Sequence, residues 1–462
     1  MPVERRGFGS ECFRRRGGRG ELASSLTTPE SVRTFQRKLY AKAKSEPNFR
    51  FYSLYDKVHR RDILEFAYRL CRANGGSAGV DGITFERIEA DGLEEWLVNL
   101  QEDLRNRTYK SQPVRRVMIP KPGGGERPLG IPTIRDRVAQ TAAKIVLEPV
   151  FEADFEESAY GYRPGRSAVD AVKEVHRNLI EGHTEVVDAD ISGYFDTIPH
   201  SELLKSVARR VSDKAMLKLV KLWLKTPVEE RDEKGKSRLT GGKGSTRGTP
   251  QGGVLSPLLA NIYMRRMLLY FRMSGAAKRF QARIVNYADD FVILCRREGH
   301  KALEWTKRVV ERLGLKLNES KTFVRDGRRD SFNFLGYTFG PMIWRKNGAR
   351  YLGACPSRKA EKRLRERVKG MLYRGNPTPW PQMCQRLNRL LIGWANYFSY
   401  GSRSKVYCRT DRYVEDRVRR FLCKRHKIAG QGTRRFAYSV IYGELGVTCL
   451  TNLKKERLVC PA

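Results

Sequence analysis

The sequence predicts an α+β chain that gives way to an all-helical, strongly basic C-terminal segment. Three observations carry this. Up to about residue 340, short apolar strand patterns alternate with segments of helical apolar spacing. Beyond residue 357 only the helical spacing remains. The charge also shifts there: from Pro341 onward, 28 Lys or Arg stand against 7 Asp or Glu. Such a shift in composition marks a domain boundary, placed at 341–357.

In chain order, residues 1–32 are rich in Gly, Ser and Arg, and a loosely attached segment is expected there. Residues 31–110 read as helical, with apolar spacing over Arg33–Lys44 and His59–Asn74 and the loop GGSAGVDG after them. VRRVMIPKPGGGERPLGIP predicts two strands around a Gly-rich tip. Ile134–Phe155 predicts a helix. EVVDAD (185–190) predicts a short strand ending in acid. RIVNYADDFVILC (283–295) predicts two apolar strands joined by a tight acidic turn. Helices are expected over His200–Lys225 and from Ser256 to about Arg272. Three more are expected over Ser357–Arg374, Trp380–Tyr400 and Asp411–Lys427.

Composition narrows the function. At 462 residues, two to four domains are expected. Lys plus Arg number 90 and Asp plus Glu 51, a formal charge of +39. A surface so unbalanced repels itself unless a polyanion neutralises it, which points to nucleic acid. No run approaches the ~18–20 apolar residues of a membrane span. The N-terminus has no apolar core of a secretory signal, and Glu4 and Glu11 speak against a transit peptide. Nine Cys occur singly with no CxxC, so no Cys-pair zinc finger is expected, and free thiols in a reducing compartment are. Only His426 lies beyond His300, which argues against a His-based nuclease near the C-terminus.

The chemistry is carried by acids. Asp289 and Asp290 sit side by side at the tip of an apolar hairpin. Adjacent carboxylates repel unless a cation lies between them and other ligands, and Mg²⁺ favours such oxygens. On the pair alone, a metal seat and an ordinary Asp turn are equally good readings. Asp190, ending a second apolar strand, tips the balance if it is brought beside the hairpin. Two ions held there could serve phosphoryl transfer. On the 411–427 helix, Arg412, Arg417, Arg419, Arg420, Lys424 and Arg425 lie off the apolar stripe. A merely solvated face would carry more acids, so contact with RNA or DNA is expected.

YADD at 287–290 between apolar strands resembles the reverse transcriptase motif. Further strings follow in the order of the group II intron reverse transcriptase blocks: RPLGIPTIRDRVAQ (127–140), AYGYRPGRSAVDAV (159–172), DADISGYFDTIPH (188–200), GTPQGGVLSPLLANIYM (248–264), LGLKLNESKT (313–322) and FNFLGYTF (332–339). IGWANYFSYGS (392–402) looks like the start of the maturase domain. The chain thus resembles a group II intron-encoded reverse transcriptase and maturase over residues 33–440.

The resemblance implies a right-hand polymerase, with fingers and an antiparallel palm sheet, followed by an all-helical thumb and maturase domain. It would divide as a helical N-terminal extension (33–110), fingers and palm (111–342), thumb and maturase (343–440) and a tail (441–462). Asp190, Asp289 and Asp290 match the catalytic carboxylates for two Mg²⁺ ions, with Asp290 less directly bound. Phe195 matches the aromatic gate against a ribose 2′-hydroxyl. Gln251, Lys121 and Arg127 match residues around the incoming nucleotide. Lys321 matches the lysine near the leaving pyrophosphate, with Lys316 as its rival.

The implied partners are intron RNA, an RNA template–DNA primer duplex, target DNA and deoxynucleotides. The implied setting is a bacterial cytoplasm, as a ribonucleoprotein, with splicing and retrohoming as its roles. No His- and Cys-rich nuclease cluster follows the maturase region, so an endonuclease-lacking member is expected. A maturase without polymerase activity, or a reverse transcriptase recruited to host defence, are the alternatives. The sequence carries no signal for oligomeric state.

Overall fold

The computed structural model describes residues 26–120, 125–231, 236–250, 252–344 and 347–453. Most of the N-terminal segment and the last nine residues of the tail therefore lie outside the described residues. The first helices are α1 (Glu30–Ser45), α2 (Tyr55–Val58), α3 (Arg61–Asn74) and α4 (Phe85–Arg105). Strands β1 (Val114–Pro120) and β2 (Glu126–Ile131) lead to α5 (Ile134–Glu152) and α6 (Ala168–Ile180). Then come β3 (Glu185–Asp190), α7 (Tyr194–Thr197), α8 (His200–Ala208), α9 (Lys214–Leu224), β4 (Pro227–Arg231) and β5 (Ser237–Gly241). They are followed by α10 (Ser256–Met273), α11 (Ala276–Arg279), β6 (Ala282–Tyr287), β7 (Asp290–Cys295) and α12 (Gly299–Arg312). The last elements are β8 (Phe323–Asp326), β9 (Phe332–Phe334), β10 (Tyr337–Ile343), β11 (Arg350–Pro356), α13 (Arg358–Met371), α14 (Trp380–Tyr397) and α15 (Ser404–Arg425).

Two compact units emerge. Among the described residues, one spans 26–168, 189–293 and 300–323, and the other 169–188, 294–299 and 324–453. In the first unit, α5 is buried on almost every face, which explains its weak apolar periodicity. A four-stranded sheet in the order β2-β1-β4-β5 forms the Gly-tipped region. The expected single helix over 200–225 is broken in two. Asp213 is the reason: its carboxylate accepts from Ala215 and Met216 N–H to start α9, and from Leu54 and Tyr55 N–H.

The second four-stranded sheet has the order β6-β7-β3-β8, so the acidic strands β3 and β7 are neighbours. A three-stranded sheet, β11-β10-β9, belongs to the second unit. There α13, α14 and α15 pack around Leu364, Val368, Leu387, Leu391, Val414 and Val418. On α14 and α15 these residues recur at helical spacing, as the sequence pattern there predicts. The last helix begins earlier than expected, at Ser404. Among the described residues, no helix is long and apolar enough to cross a membrane.

Candidate active site

The acidic turn is built on a strained residue. Ala288 has φ +60°, a left-handed conformation that costs an L-residue ~1–2 kcal/mol. Three neighbours hold it. The buried Asn286 amide donates to the carbonyls of Ala288 (2.9 Å) and Asp290 (3.4 Å). The 158–160 segment lies alongside, with Tyr160 N–H donating to Asn286 O and Asn286 N–H to Ser158 O, both at 2.8 Å. Gly161 then lies directly on the turn, where a Cβ would stand 2.4 Å from Ala288 N. Asn261 of α10 donates to Gly161 O at 2.7 Å and fixes that contact from behind.

The turn leaves Asp289 half-buried and Asp290 exposed. Burial, then Tyr263, then the Asp289 carboxylate push the Tyr194 hydroxyl well above its usual range. Tyr194 stays a donor, to Ala260 O at 2.7 Å.

Asp190 ends β3, and its side chain is 28% exposed. Its Oδ2 accepts from Lys321 Nζ at 3.1 Å and from Asn318 Nδ2 at 3.3 Å. Backbone bonds run the same loop along it: Asn318 N–H to Asp190 O (2.7 Å) and Ser192 N–H to Lys316 O (2.9 Å). The structure thus distinguishes the two lysines. Lys321 reaches the carboxylate, while Lys316 offers its backbone carbonyl. A partly exposed pair of this kind is worth only ~0–1 kcal/mol, so Lys321 can exchange Asp190 for another anion at little cost.

The donor set of Asp190 and Asp289 consists of hard carboxylate oxygens, and a cation already sits on Asp190. Both features fit Mg²⁺. Among the described residues no group of three or more His, Cys, Asp or Glu is preassembled for a metal. The fit is therefore to an ion held by one or two carboxylates and completed by substrate phosphates.

Phe195 is half-buried and meets Tyr194 and Tyr162 edge-to-face, with ring centroids 5.8 and 6.4 Å away. Its carbonyl accepts from Thr249 N–H at 2.6 Å, which ties it to the GTPQGG loop. Gly252 has φ +113°, and a Cβ there would lie 2.0 Å from Gly130 O at the end of β2. Gln140 Oε1 accepts from Val254 N–H at 2.9 Å just beyond. Gln251 itself, Lys121 and the Arg127 side chain lie outside the described residues.

Sequence reasoning missed Asn286, Gly161, Tyr162 and Asn318. Asn286 did leave a trace, as an uncharged polar residue between Ile284–Val285 and Tyr287 in a strand.

The six basic residues singled out on α15 do not share one environment. Arg412, Arg420, Lys424 and Arg425 are exposed, although Arg425 donates to Thr378 O at 2.8 Å. Arg417 is partly covered and donates to Leu372 O at 3.2 Å. Arg419 corrects the expectation of a uniformly solvent-facing basic side. Its side chain is 14% exposed and pairs with Glu415 and Asp416. It also donates to Phe436 O at 3.1 Å. The acids one turn earlier and the adjoining C-terminal segment draw it inward.

Comparison with known proteins decides the family. Residues 119–339 match the family described as Reverse transcriptase (RNA-dependent DNA polymerase), and residues 361–438 match the group II intron maturase-specific domain. Protein YkfC of Escherichia coli K12 is 33% identical over 368 residues, covering 71% of this chain and 93% of YkfC. The group II intron-encoded protein LtrA of Lactococcus lactis subsp. cremoris is 38% identical over 219 residues. The chain belongs to the group II intron reverse transcriptase–maturase family.

The LtrA match covers 47% of this chain and 35% of LtrA. A 91 kDa protein in the cob intron of Schizosaccharomyces pombe is 26% identical over 75% of this chain and 50% of that protein. The chain thus spans nearly all of YkfC but half or less of the other two. Its reverse transcriptase domain, that of an RNA-directed DNA polymerase, contains Asp190, Phe195, Asp289, Asp290 and Lys321. Its maturase domain contains α13, α14 and α15.

Proposed function

We propose that this protein copies RNA into DNA at Asp190, Asp289 and Asp290, and binds intron RNA through its maturase domain to assist splicing and retrohoming. One observation carries the catalytic reading. Asp190 ends β3, the Asp289–Asp290 turn opens the neighbouring β7, and Lys321 already lies on Asp190.

Mg²⁺ bound at Asp190 and Asp289 would neutralise the triphosphate and favour the ionised 3′-hydroxyl of the primer. The protein supplies the rest by positioning. The strained Ala288 aims the Asp289 carboxylate. Lys321 moves from Asp190 to the leaving phosphates as substrate enters. The Phe195 ring, held by Tyr194 and Tyr162, closes the space a ribose 2′-hydroxyl would need. Lys121, Arg127 and Gln251 complete the deoxynucleotide site in this reading. Arg412, Arg420 and Lys424 offer exposed charge to RNA phosphates, template–primer duplex or target DNA. The setting proposed is a bacterial cytoplasmic ribonucleoprotein.

The test is primer extension on an RNA template with Mg²⁺ and deoxynucleotides, wild type beside Asp289→Ala. Extension by the wild type alone is expected. No extension by a folded, RNA-binding wild type would leave a maturase without polymerase activity.

A further inference from the structure

The first unit holds a second concave site, separate from the acidic turn. The end of α5, α8 and α10 enclose a cavity of ≈ 200 Å³. Five cationic side chains line it against two carboxylates, Asp154 and Glu202. Both acids are already shared. Glu202 pairs with Lys205 at 2.7 Å and with Arg266 at 2.8 Å. Asp154 lies 3.3 Å from Arg210 Nε, and its carbonyl accepts from Arg265 Nε at 2.7 Å.

The five cations are not relieved alike. Arg209 is exposed at the rim, and among the described residues its side chain makes no hydrogen bond or ion pair. The Arg210 side chain, by contrast, is 4% exposed and engaged away from the pocket, its Nη1 donating to Glu46 O (3.0 Å) and Pro47 O and its Nη2 to Ala43 O (2.6 Å). Burial lowers the Arg265 pKa; Asp154 and Glu156 work against that, and Arg209 and Arg272 reinforce it. Arg209 is thus unengaged, and Lys205 and Arg266 share one partly exposed carboxylate. Such cationic donors recognise phosphate oxygens.

We propose that this pocket binds a backbone phosphate of RNA, a contact distinct from both the active site and α15. The rim favours a polymer: Lys205 is 74% exposed and Arg209 also faces solvent, so a continuing strand can lie across the opening. The position on α10 also separates the two sites. Ala260 and Asn261 face the Tyr194 hydroxyl and Gly161 beneath the acidic turn, whereas Arg265 and Arg266 lie a full turn further along. Free phosphate shares the chemistry, and the experiment distinguishes the two sources.

The test uses the full-length protein and two probes, a short single-stranded RNA and inorganic phosphate. Hydrogen exchange is followed in peptides covering 200–211 and 262–272. The salt dependence of RNA affinity is compared between wild type and Lys205→Gln/Arg209→Gln. Both substitutions lie at the exposed rim, and thermal unfolding verifies the fold. RNA should protect both peptides. The double variant should lose that protection and show a salt slope shallower by about 1.4 for two lost phosphate contacts. Primer extension at saturating template–primer should be unchanged, so failure here is distinct from failure of the catalytic reading. An unchanged slope without protection by RNA overturns the proposal. Protection by millimolar phosphate but not by RNA overturns it as well.

Discussion

The acidic turn at 287–290 and the basic helix α15 both concentrate charge, but they are held in opposite ways. At the turn the holding is done by uncharged groups: the Asn286 amide, the Gly161 backbone and Asn261 behind it. On α15 some of the charges do the holding. Arg419 is spent on Glu415, Asp416 and the Phe436 carbonyl, and Arg417 on Leu372. Charge in a sequence therefore says little about availability until the packing around it is known.

This contrast is sharpened most by Asp289→Ala. Primer extension should fall by roughly 10²–10³-fold or more, with RNA affinity and unfolding temperature nearly unchanged. A coupled loss of RNA binding would show that the two regions are not separable.

Gly161→Ala tests the uncharged clamp. The new Cβ would meet the backbone of Ala288, which has no flexible side chain to yield. Extension should drop by about 100-fold from misplacement of the turn, again without loss of RNA affinity. Wild-type activity in this variant would mean that the turn is not held by this contact.

Asn286→Ala should cost ~1–3 kcal/mol, because the buried Ala288 carbonyl and the part-buried Asp290 carbonyl lose their donor. Chemical denaturation measures this directly, and a change below ~0.5 kcal/mol would remove Asn286 from the clamp.

The smallest effects separate residues within α15. Arg419→Gln should lower stability by about 1 kcal/mol, losing a partly buried pair and a hydrogen bond. Arg420→Gln/Lys424→Gln should leave stability alone and flatten the salt dependence of RNA binding by about 1.4. The reverse pattern would exchange the structural and RNA-facing roles of these residues.

Much of this was legible in the chain itself. YADD between apolar strands marked the turn, because a tight turn of polar residues interrupting apolar runs has few other readings. Asp190 was legible as an acid at a strand end. Gln251 and Gly252 stood out in a Gly-rich string, and the approach of Gly252 to Gly130 O supplies the steric reason for that glycine. The break between α8 and α9 was missed although Asp213 caps α9 locally through Ala215 and Met216 N–H; what only packing adds is the second carboxylate oxygen accepting from Leu54 and Tyr55 N–H. The choice between Lys316 and Lys321 was not legible, since it depends on how a short loop runs past β3.

The sequence alone determined the α+β order, the acidic strand ends, the apolar stripes of the last two helices and the excess of positive charge. These are local patterns, and periodicity and turn chemistry act over a few residues. Tertiary structure alone decided which groups meet: Lys321 with Asp190, Gly161 with Ala288, Arg419 with Phe436, and five cations with two acids in one pocket. Each of these depends on residues distant in the chain coming within a few ångströms, and only packing sets such distances.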